Sequence, residues 1–102
     1  MNIYPNKPYY RNKGLKLPEN EQTIILEKCQ NLYDKMMHAA LHINDDDIQR
    51  NTYYKYHRYM RELEEQEIYV EYNWVRHRRE HFFATEEDAE WQELYLEDCA
   101  EE

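Results

Sequence analysis

The sequence contains no serine and only one glycine, Gly14. Without serine the chain has no nucleophile for serine hydrolase chemistry, and one glycine is too few for a glycine-rich phosphate-binding loop. The two cysteines, Cys29 and Cys99, fall on a predicted packed helix seam and in an acidic terminal segment, where a reactive thiolate is disfavoured. We therefore expect a protein that is not an enzyme and binds no cofactor.

Long apolar runs are also missing from the sequence. No stretch approaches the roughly 18 apolar residues of a membrane-spanning helix, and the residues after Met1 lack the apolar core of a signal peptide. Two cysteines in such a chain are expected to remain reduced. These features predict a cytoplasmic protein, with no membrane partner and with reduced thiols.

Tyrosine supplies much of the hydrophobic content. The chain has 102 residues, of which 41% are hydrophobic, and it contains 11 tyrosines against 2 phenylalanines and 2 tryptophans. A tyrosine ring is apolar but its hydroxyl needs a partner, so the residue favours half-buried surfaces and interfaces. A chain this short also has a limited core of its own. We expect a homodimer or a higher oligomer.

Charge is distributed unevenly along the chain. The net charge is −9, with four basic residues and no acid in 1–18, and nine acidic residues and no base in 84–102. An acidic protein is repelled by nucleic acid at long range, so nucleic acid is not the favoured partner. The opposite charges of the two ends permit pairing within one chain or between chains.

The absence of glycine and proline after Pro18 favours helix over the rest of the chain. We predict a mainly α protein, a small bundle of about three helices at roughly 19–43, 46–83 and 86–99. The first 18 residues, with three prolines, are predicted to form an extended, basic, tyrosine-rich arm. Residues 19–102 then form a single helical domain with an acidic C-terminal helix.

The first predicted helix has the clearest pattern. Its apolar residues recur at alternating spacings of four and three, which indicates one packed helix face. They are Ile25, Cys29, Leu32, Met36, Ala39 and Ile43. The following Asp45, Asp46 and Asp47 suit the N-cap of a second helix. Together with His42 they could instead suggest a cation site, but the glycine and distant glutamate of a calcium loop are missing.

The window 67–75 carries a second interpretation of the fold. Ile68, Val70, Tyr72 and Trp74 alternate with polar residues, which is typical of a strand. No glycine or proline flanks this window, as a tight hairpin would require. An α+β fold with a strand at about 67–75 is therefore the alternative to a continuous helix.

Residues 77–81 match the H-x-x-E-H pattern and in those five positions resemble the inverted zinc metalloproteases. The resemblance implies His77 and His81 as zinc ligands and Glu80 as a general base. That family needs a much larger fold and a distant third ligand. We therefore expect no metal site.

Aromatic and basic residues near this window and in the arm are the candidate partner-binding residues. Tyrosine, tryptophan and arginine are the residue types that dominate the binding energy of protein interfaces. The candidates are Tyr69, Tyr72, Trp74, Arg76, Arg78, Arg79, Tyr9 and Tyr10. They make a self-associating protein–protein interaction module the leading hypothesis. In small size, aromatic richness and lack of catalytic motifs the chain resembles accessory or inhibitor proteins of viruses and phages, which act inside the infected host cell.

Two alternative functions involve nucleic acid. In the first, an acidic helix face mimics the phosphates of nucleic acid and inhibits a nucleic-acid-binding protein, because carboxylates at helical spacing lie roughly 5–6 Å apart. That face comprises Glu86, Glu90, Glu93 and Glu97. In the second, the protein binds nucleic acid directly through the basic arm and the Arg76–Arg79 cluster.

Overall fold

The computed structural model describes residues 11–74, 78–91 and 94. Within them a short 3₁₀ helix is followed by two long α-helices, a two-stranded sheet and the start of a third helix. The elements are the 3₁₀ helix Lys13–Lys16, α1 Glu19–His42, α2 Asp46–Glu65, β1 Val70–Tyr72 and β2 His81–Phe83, followed by α3, which is helical at 86–91 and 94. The predicted mainly helical class is confirmed. None of the helices in these ranges combines the length and apolar character that crossing a membrane requires.

Both long helices begin where the sequence predicts. α1 starts directly after Pro18, with Glu19 and Glu21 in its first turn. Carboxylates there interact favourably with the positive end of the helix dipole. α2 is capped by Asp45, whose Oδ1 accepts hydrogen bonds from the backbone N–H groups of Asp47 and Ile48. Such a cap contributes about 1 kcal/mol. The Asp run thus caps a helix, as predicted.

α1 and α2 pack against each other and against the sheet. The predicted seam of α1 faces inward along its whole length, with Cys29 and Ala39 fully buried. Burying each large apolar side chain in such a core contributes about 1.5–3 kcal/mol. The central core cluster is Cys29, Leu63, Ile68, Val70 and Phe83, bordered by Leu17, Ile25, Leu26, Tyr59 and Met60.

The second helix is shorter than the predicted range 46–83, and this boundary needs correction. α2 ends at Glu65, and Glu67 adopts a left-handed backbone conformation with φ of 61°. The N–H of Glu67 bonds to the carbonyl of Glu64, and that of Ile68 bonds to the carbonyl of Leu63. This is a Schellman C-cap. Because Leu63 and Ile68 both lie in the core cluster, tertiary packing turns the chain where no glycine marks a helix end.

Beyond this turn, the chain forms a strand, as the alternative interpretation predicts, but only three residues of the predicted window 67–75 belong to it. β1 pairs antiparallel with β2, with Val70 opposite Phe83, Glu71 opposite Phe82 and Tyr72 opposite His81. The connection, residues 73–80, is eight residues long, so it does not need the two-residue turn that the sequence lacks. We call 73–80 the hairpin loop. Val70 and Phe83 are buried in the core, which fixes the register of the pair.

The segment 11–17 packs against the base of this hairpin. Lys13 donates its backbone N–H to the carbonyl of Glu67 at 2.8 Å. A β-carbon on Gly14 would lie 2.5 Å from the ring of Phe83, so only glycine fits there. This part of the predicted arm is thus docked on the domain and includes a 3₁₀ helix, whereas residues 1–10 lie outside the described ranges.

α3 begins at the predicted capping site. The side-chain hydroxyl of Thr85 accepts from the N–H of Asp88, and the Asp88 carboxylate accepts from the N–H and the hydroxyl of Thr85. This reciprocal pair is a relative of the capping box. Ala89 is fully buried, which orients the first turn of α3. The remainder of the predicted helix to residue 99, other than Leu94, lies outside the described ranges.

The left-handed conformation of Glu67 predicts opposite effects for two Glu→Gly substitutions. Glu67→Gly removes the steric cost of a β-carbon at positive φ and should raise the free energy of unfolding by up to about 1 kcal/mol. Glu62→Gly, at an exposed position in the interior of α2, should lower it by about 1 kcal/mol. Urea unfolding of both variants measures this. Destabilisation by both substitutions would contradict the assigned turn.

Candidate interaction surface

His81, the last residue of the H-x-x-E-H match, is buried between the two long helices. Its Nε2 lies 2.9 Å from the hydroxyl of Tyr56, and its Nδ1 lies 3.0 Å from Oε1 of Gln30. Gln30 in turn donates its amide N–H to a carboxylate oxygen of Asp34 at 2.9 Å. An amide oxygen only accepts, so Nδ1 carries the proton and Nε2 accepts from Tyr56. The bonds form a chain from the interior to the exposed Asp34.

This environment favours the neutral imidazole. Burial lowers the pKa of His81 to about 4, and the negative charge of Asp34 opposes this shift only partly. Because both ring nitrogens are hydrogen-bonded, neither offers a free lone pair to a metal. The described part of the chain contains no group of three or more side chains placed to hold a metal ion. His77 lies outside that part.

Three tyrosines complete an aromatic cluster around His81. The rings of Tyr33 in α1 and Tyr72 in β1 are stacked, with centroids 4.2 Å apart and planes inclined by 18°. Tyr56 and His81 meet the ring of Tyr33 edge-on, each at 5.5 Å. Such pairs contribute about 0.5–1.5 kcal/mol each beyond their buried area. Burial also raises the pKa of Tyr56 and of Tyr33. The cluster ties the hairpin to both long helices.

Asn12 holds the opposite end of the hairpin. Its amide nitrogen donates to the carbonyls of Tyr69 and Ala84 at 2.9 and 2.8 Å. Its Oδ1 accepts from the N–H of Gly14 at 2.9 Å and from that of Tyr69 at 3.4 Å. One carboxamide therefore bridges the two strands where the ladder ends and joins them to segment 11–17. Asn12 is 6% exposed, so these bonds are shielded from water.

The hairpin loop carries exposed aromatic and basic side chains. Trp74 is 37% exposed, and Arg78 and Arg79 are both exposed. Arg78 forms an ion pair with Glu80 at 3.5 Å on the surface, where such pairs contribute little. The positive charge of Arg79 reaches the Tyr33 hydroxyl, because it opposes the upward shift of that pKa. The loop thus lies beside the aromatic cluster.

The structure separates the predicted partner-binding residues into three groups. Trp74, Arg78 and Arg79 belong to the hairpin loop and are exposed, whereas Tyr69 and Tyr72 are half-buried and support the hairpin. On the predicted acidic face, Glu86 and Glu90 are both exposed on α3. Five predicted residues lie outside the described ranges, namely Tyr9, Tyr10, Arg76, Glu93 and Glu97.

A further surface, on α2, was not among the sequence-based candidates. Residues 50–61 of α2 contain four arginine or lysine residues and no acid, within a chain of net charge −9. This charge pattern is the signal that could have revealed the surface, although the apolar pattern of the same helix is more prominent. We call the exposed basic and aromatic residues of this stretch the α2 outer face. They are Arg50, Tyr53, Tyr54, Lys55, His57, Arg58 and Arg61.

Comparison with known proteins identifies no relative of the chain. No protein-family model, curated protein or solved structure matches the chain. The geometry of the folded chain is therefore the basis for assigning its function.

The buried state of His81 predicts that acid destabilises the fold. The folded-state pKa of His81, about 4, lies below the unfolded value of about 6.5. Its contribution to the free energy of unfolding is therefore complete above pH 6.5 and is lost as the pH falls towards 4. The loss should approach about 3 kcal/mol. Urea unfolding of the wild type at pH 7, 5.5 and 4 measures it.

Two variants separate this effect from the titration of carboxylates. His81→Gln removes the titrating group and should flatten the pH dependence, whereas His57→Gln, at an exposed site, should leave it unchanged. If wild type and His81→Gln lose stability equally between pH 6.5 and 4, the assigned role of His81 is wrong.

The contacts of Asn12 predict that a nearly isosteric change is costly. Asn12→Asp keeps the acceptor but replaces the amide donor with a charged oxygen facing two carbonyls. We expect a loss of about 2–4 kcal/mol at pH 7. The control Asn31→Asp, at an exposed position of α1, should change stability by no more than about 0.5 kcal/mol. Equal thermal stability of the two variants would contradict this role.

Proposed function

We propose that this protein is a non-enzymatic protein-interaction module that self-associates through its hairpin loop. The observation that carries the proposal is the exposure of Trp74, Arg78 and Arg79 on one loop whose strands are anchored in the core. Tryptophan and arginine are enriched among the residues that dominate interface energies.

Anchoring favours tight binding because less conformational entropy is lost on association. The stacked pair of Tyr33 and Tyr72 and the hydrogen bonds of His81 hold the two strands on either side of the loop. Asn12 holds the far end of the same hairpin. The exposed side chains of the loop are thus presented from a fixed base.

A second copy of this chain offers a complementary surface. Glu86 and Glu90 are four residues apart on α3, on one side of the helix, and both are exposed. The neighbouring Trp91 and Leu94 are each 54% exposed. α3 therefore combines acidic and apolar groups, as interfaces with an apolar centre and a polar rim do. In a twofold dimer, the arginine pair of each copy would meet the glutamate pair of the other.

Charge reversal with reciprocal rescue tests this arrangement. Arg78→Glu with Arg79→Glu, and separately Glu86→Lys with Glu90→Lys, should each shift the protein towards monomer in sedimentation equilibrium. A mixture of the two variants should restore a 1:1 dimer, because opposite charges then meet at both contacts. The reversed loop of one copy faces the reversed α3 of the other, and the unchanged loop faces the unchanged α3, whereas each variant alone opposes like charges at both contacts. The control Lys16→Glu with Lys35→Glu reverses two exposed charges elsewhere and should leave the mass unchanged.

Sedimentation equilibrium together with a nucleic-acid competition assay separates the alternative functions. A wild type that is monomeric at every concentration would rule out self-association. If that monomer competed with nucleic acid for a basic protein and lost this ability on Glu86→Lys with Glu90→Lys, the acidic-mimic function would replace our proposal. A dimer that survives both reversals would place the interface elsewhere.

A further inference from the structure

The α2 outer face is a basic and aromatic surface on an acidic protein. Over 50–61 it carries Arg50, Lys55, Arg58 and Arg61 without an intervening acid. The buried residues of α2 are Tyr56 and Leu63, which face the core. Every basic residue of this stretch is exposed, so the fold itself does not use these charges in its core.

These basic groups form no close ion pair within the described part of the chain. No carboxylate there lies within 4.0 Å of the charged nitrogens of the four basic residues, whereas Lys13 and Arg78 do form such ion pairs. Carboxylates flank the stretch at both ends of α2, with Asp46 and Asp47 before Arg50 and Glu62 after Arg61, but none lies within it. The positive charge of the α2 outer face is therefore available to an anionic ligand within a screening length of roughly 8–10 Å.

Aromatic rings lie among these charges. Tyr54 is 61% exposed and Tyr53 is 51% exposed. The ring centroid of Tyr53 lies 5.8 Å from that of Tyr54 and 4.2 Å from that of His57. The planes of these rings are inclined by 76° and 47°, so they form an exposed cluster of rings that can each stack separately. The cluster borders an open cleft that is also lined by Arg58, Arg61, Glu62 and Glu65. The two exposed tyrosine rings provide apolar faces on which a planar ligand can stack.

We propose that the α2 outer face binds single-stranded nucleic acid, a function separate from self-association through the hairpin loop. Arginine and lysine pair with phosphates, and exposed aromatic rings stack on bases. An acidic protein segment would pair with the charges but has no bases to stack on the tyrosine rings. A duplex keeps its bases stacked inside the helix and would also leave the rings unused. Of these three ligands, only single-stranded nucleic acid would use both the basic side chains and the exposed rings.

The length of the α2 outer face limits the expected affinity for an oligonucleotide. Residues 50–61 span roughly 17 Å along the helix axis, room for only a few nucleotides, and four basic residues allow at most four phosphate contacts. The acids that follow Arg61 and the net charge of −9 oppose binding of a longer strand. We expect a dissociation constant in the range of about 10⁻⁴–10⁻⁶ M, without strong sequence preference.

Fluorescence anisotropy with labelled dT₁₂ and rU₁₂ oligonucleotides at 50 mM salt tests the proposal on the full chain. Arg58→Gln with Arg61→Gln should weaken binding by about tenfold or more and reduce the slope of log K against log salt from about −3 to about −1.5. Tyr54→Leu should weaken binding by about fivefold or more, while Tyr54→Phe, which keeps the ring, should not. Comparing the two oligonucleotides distinguishes DNA from RNA as the preferred strand.

The matched control removes the same charge elsewhere. Lys16→Gln with Lys35→Gln, at two exposed positions outside α2, gives the same net charge as the α2 variant and should leave binding within about twofold of the wild type. Circular dichroism of each variant checks that the fold is retained. The proposal is overturned by no binding at 50 mM salt, by equal losses in the two double variants, or by Tyr54→Leu binding like Tyr54→Phe. It is also overturned if polyglutamate or a 12-base-pair duplex competes as well as unlabelled dT₁₂, which would indicate a site for charge alone.

Discussion

The hydrogen bonds of His81 are the interaction on which the rest of the structure depends. One imidazole in β2 contacts Tyr56 in α2 and Gln30 in α1, so three elements that are distant in sequence meet at one side chain. A buried, neutral histidine with both nitrogens satisfied adds specificity, because any other register of β2 would leave a polar group unpaired in the interior. The stack of Tyr33 on Tyr72 reinforces this register from β1. The last residue of the sequence that resembles a metal motif, His81, thus organises the core.

The hairpin shows how a short chain supports an exposed surface. A two-stranded sheet is only marginally stable by itself, and here each end of it is held by side chains from other elements. Asn12 bridges the strands at one end, and the cluster of His81, Tyr33, Tyr56 and Tyr72 holds the other. The loop between the anchored strands carries the exposed Trp74, Arg78 and Arg79. Two candidate surfaces result, the hairpin loop and the α2 outer face, and each carries positive charge on a protein of net charge −9.

Several features could be predicted from the sequence because their causes are local. The seam of α1 follows from apolar residues at helical spacing, and the caps at Asp45 and Thr85 follow from side chains that bond to nearby backbone groups. The strand character of 67–75 was also visible in its alternation. Of the candidate site, the sequence pointed to Trp74, Arg78 and Arg79 by residue type. It did not show that Tyr69 and Tyr72 would support the hairpin from partly buried positions.

The sequence by itself determined a mainly helical chain, the positions at which the three α-helices begin, and the uneven distribution of charge. Only the tertiary structure decided where α2 ends, since Glu67 adopts positive φ to bring Ile68 against Leu63, a contact that no local propensity indicates. It also decided the partner of β1, because pairing across an eight-residue loop depends on burial of Val70 and Phe83. The roles of Asn12 and His81 depend on contacts 25 to 72 residues apart. The residues at 77–81 that resembled a metal site therefore had to be interpreted in the folded chain, where His81 is a hydrogen-bonded core residue.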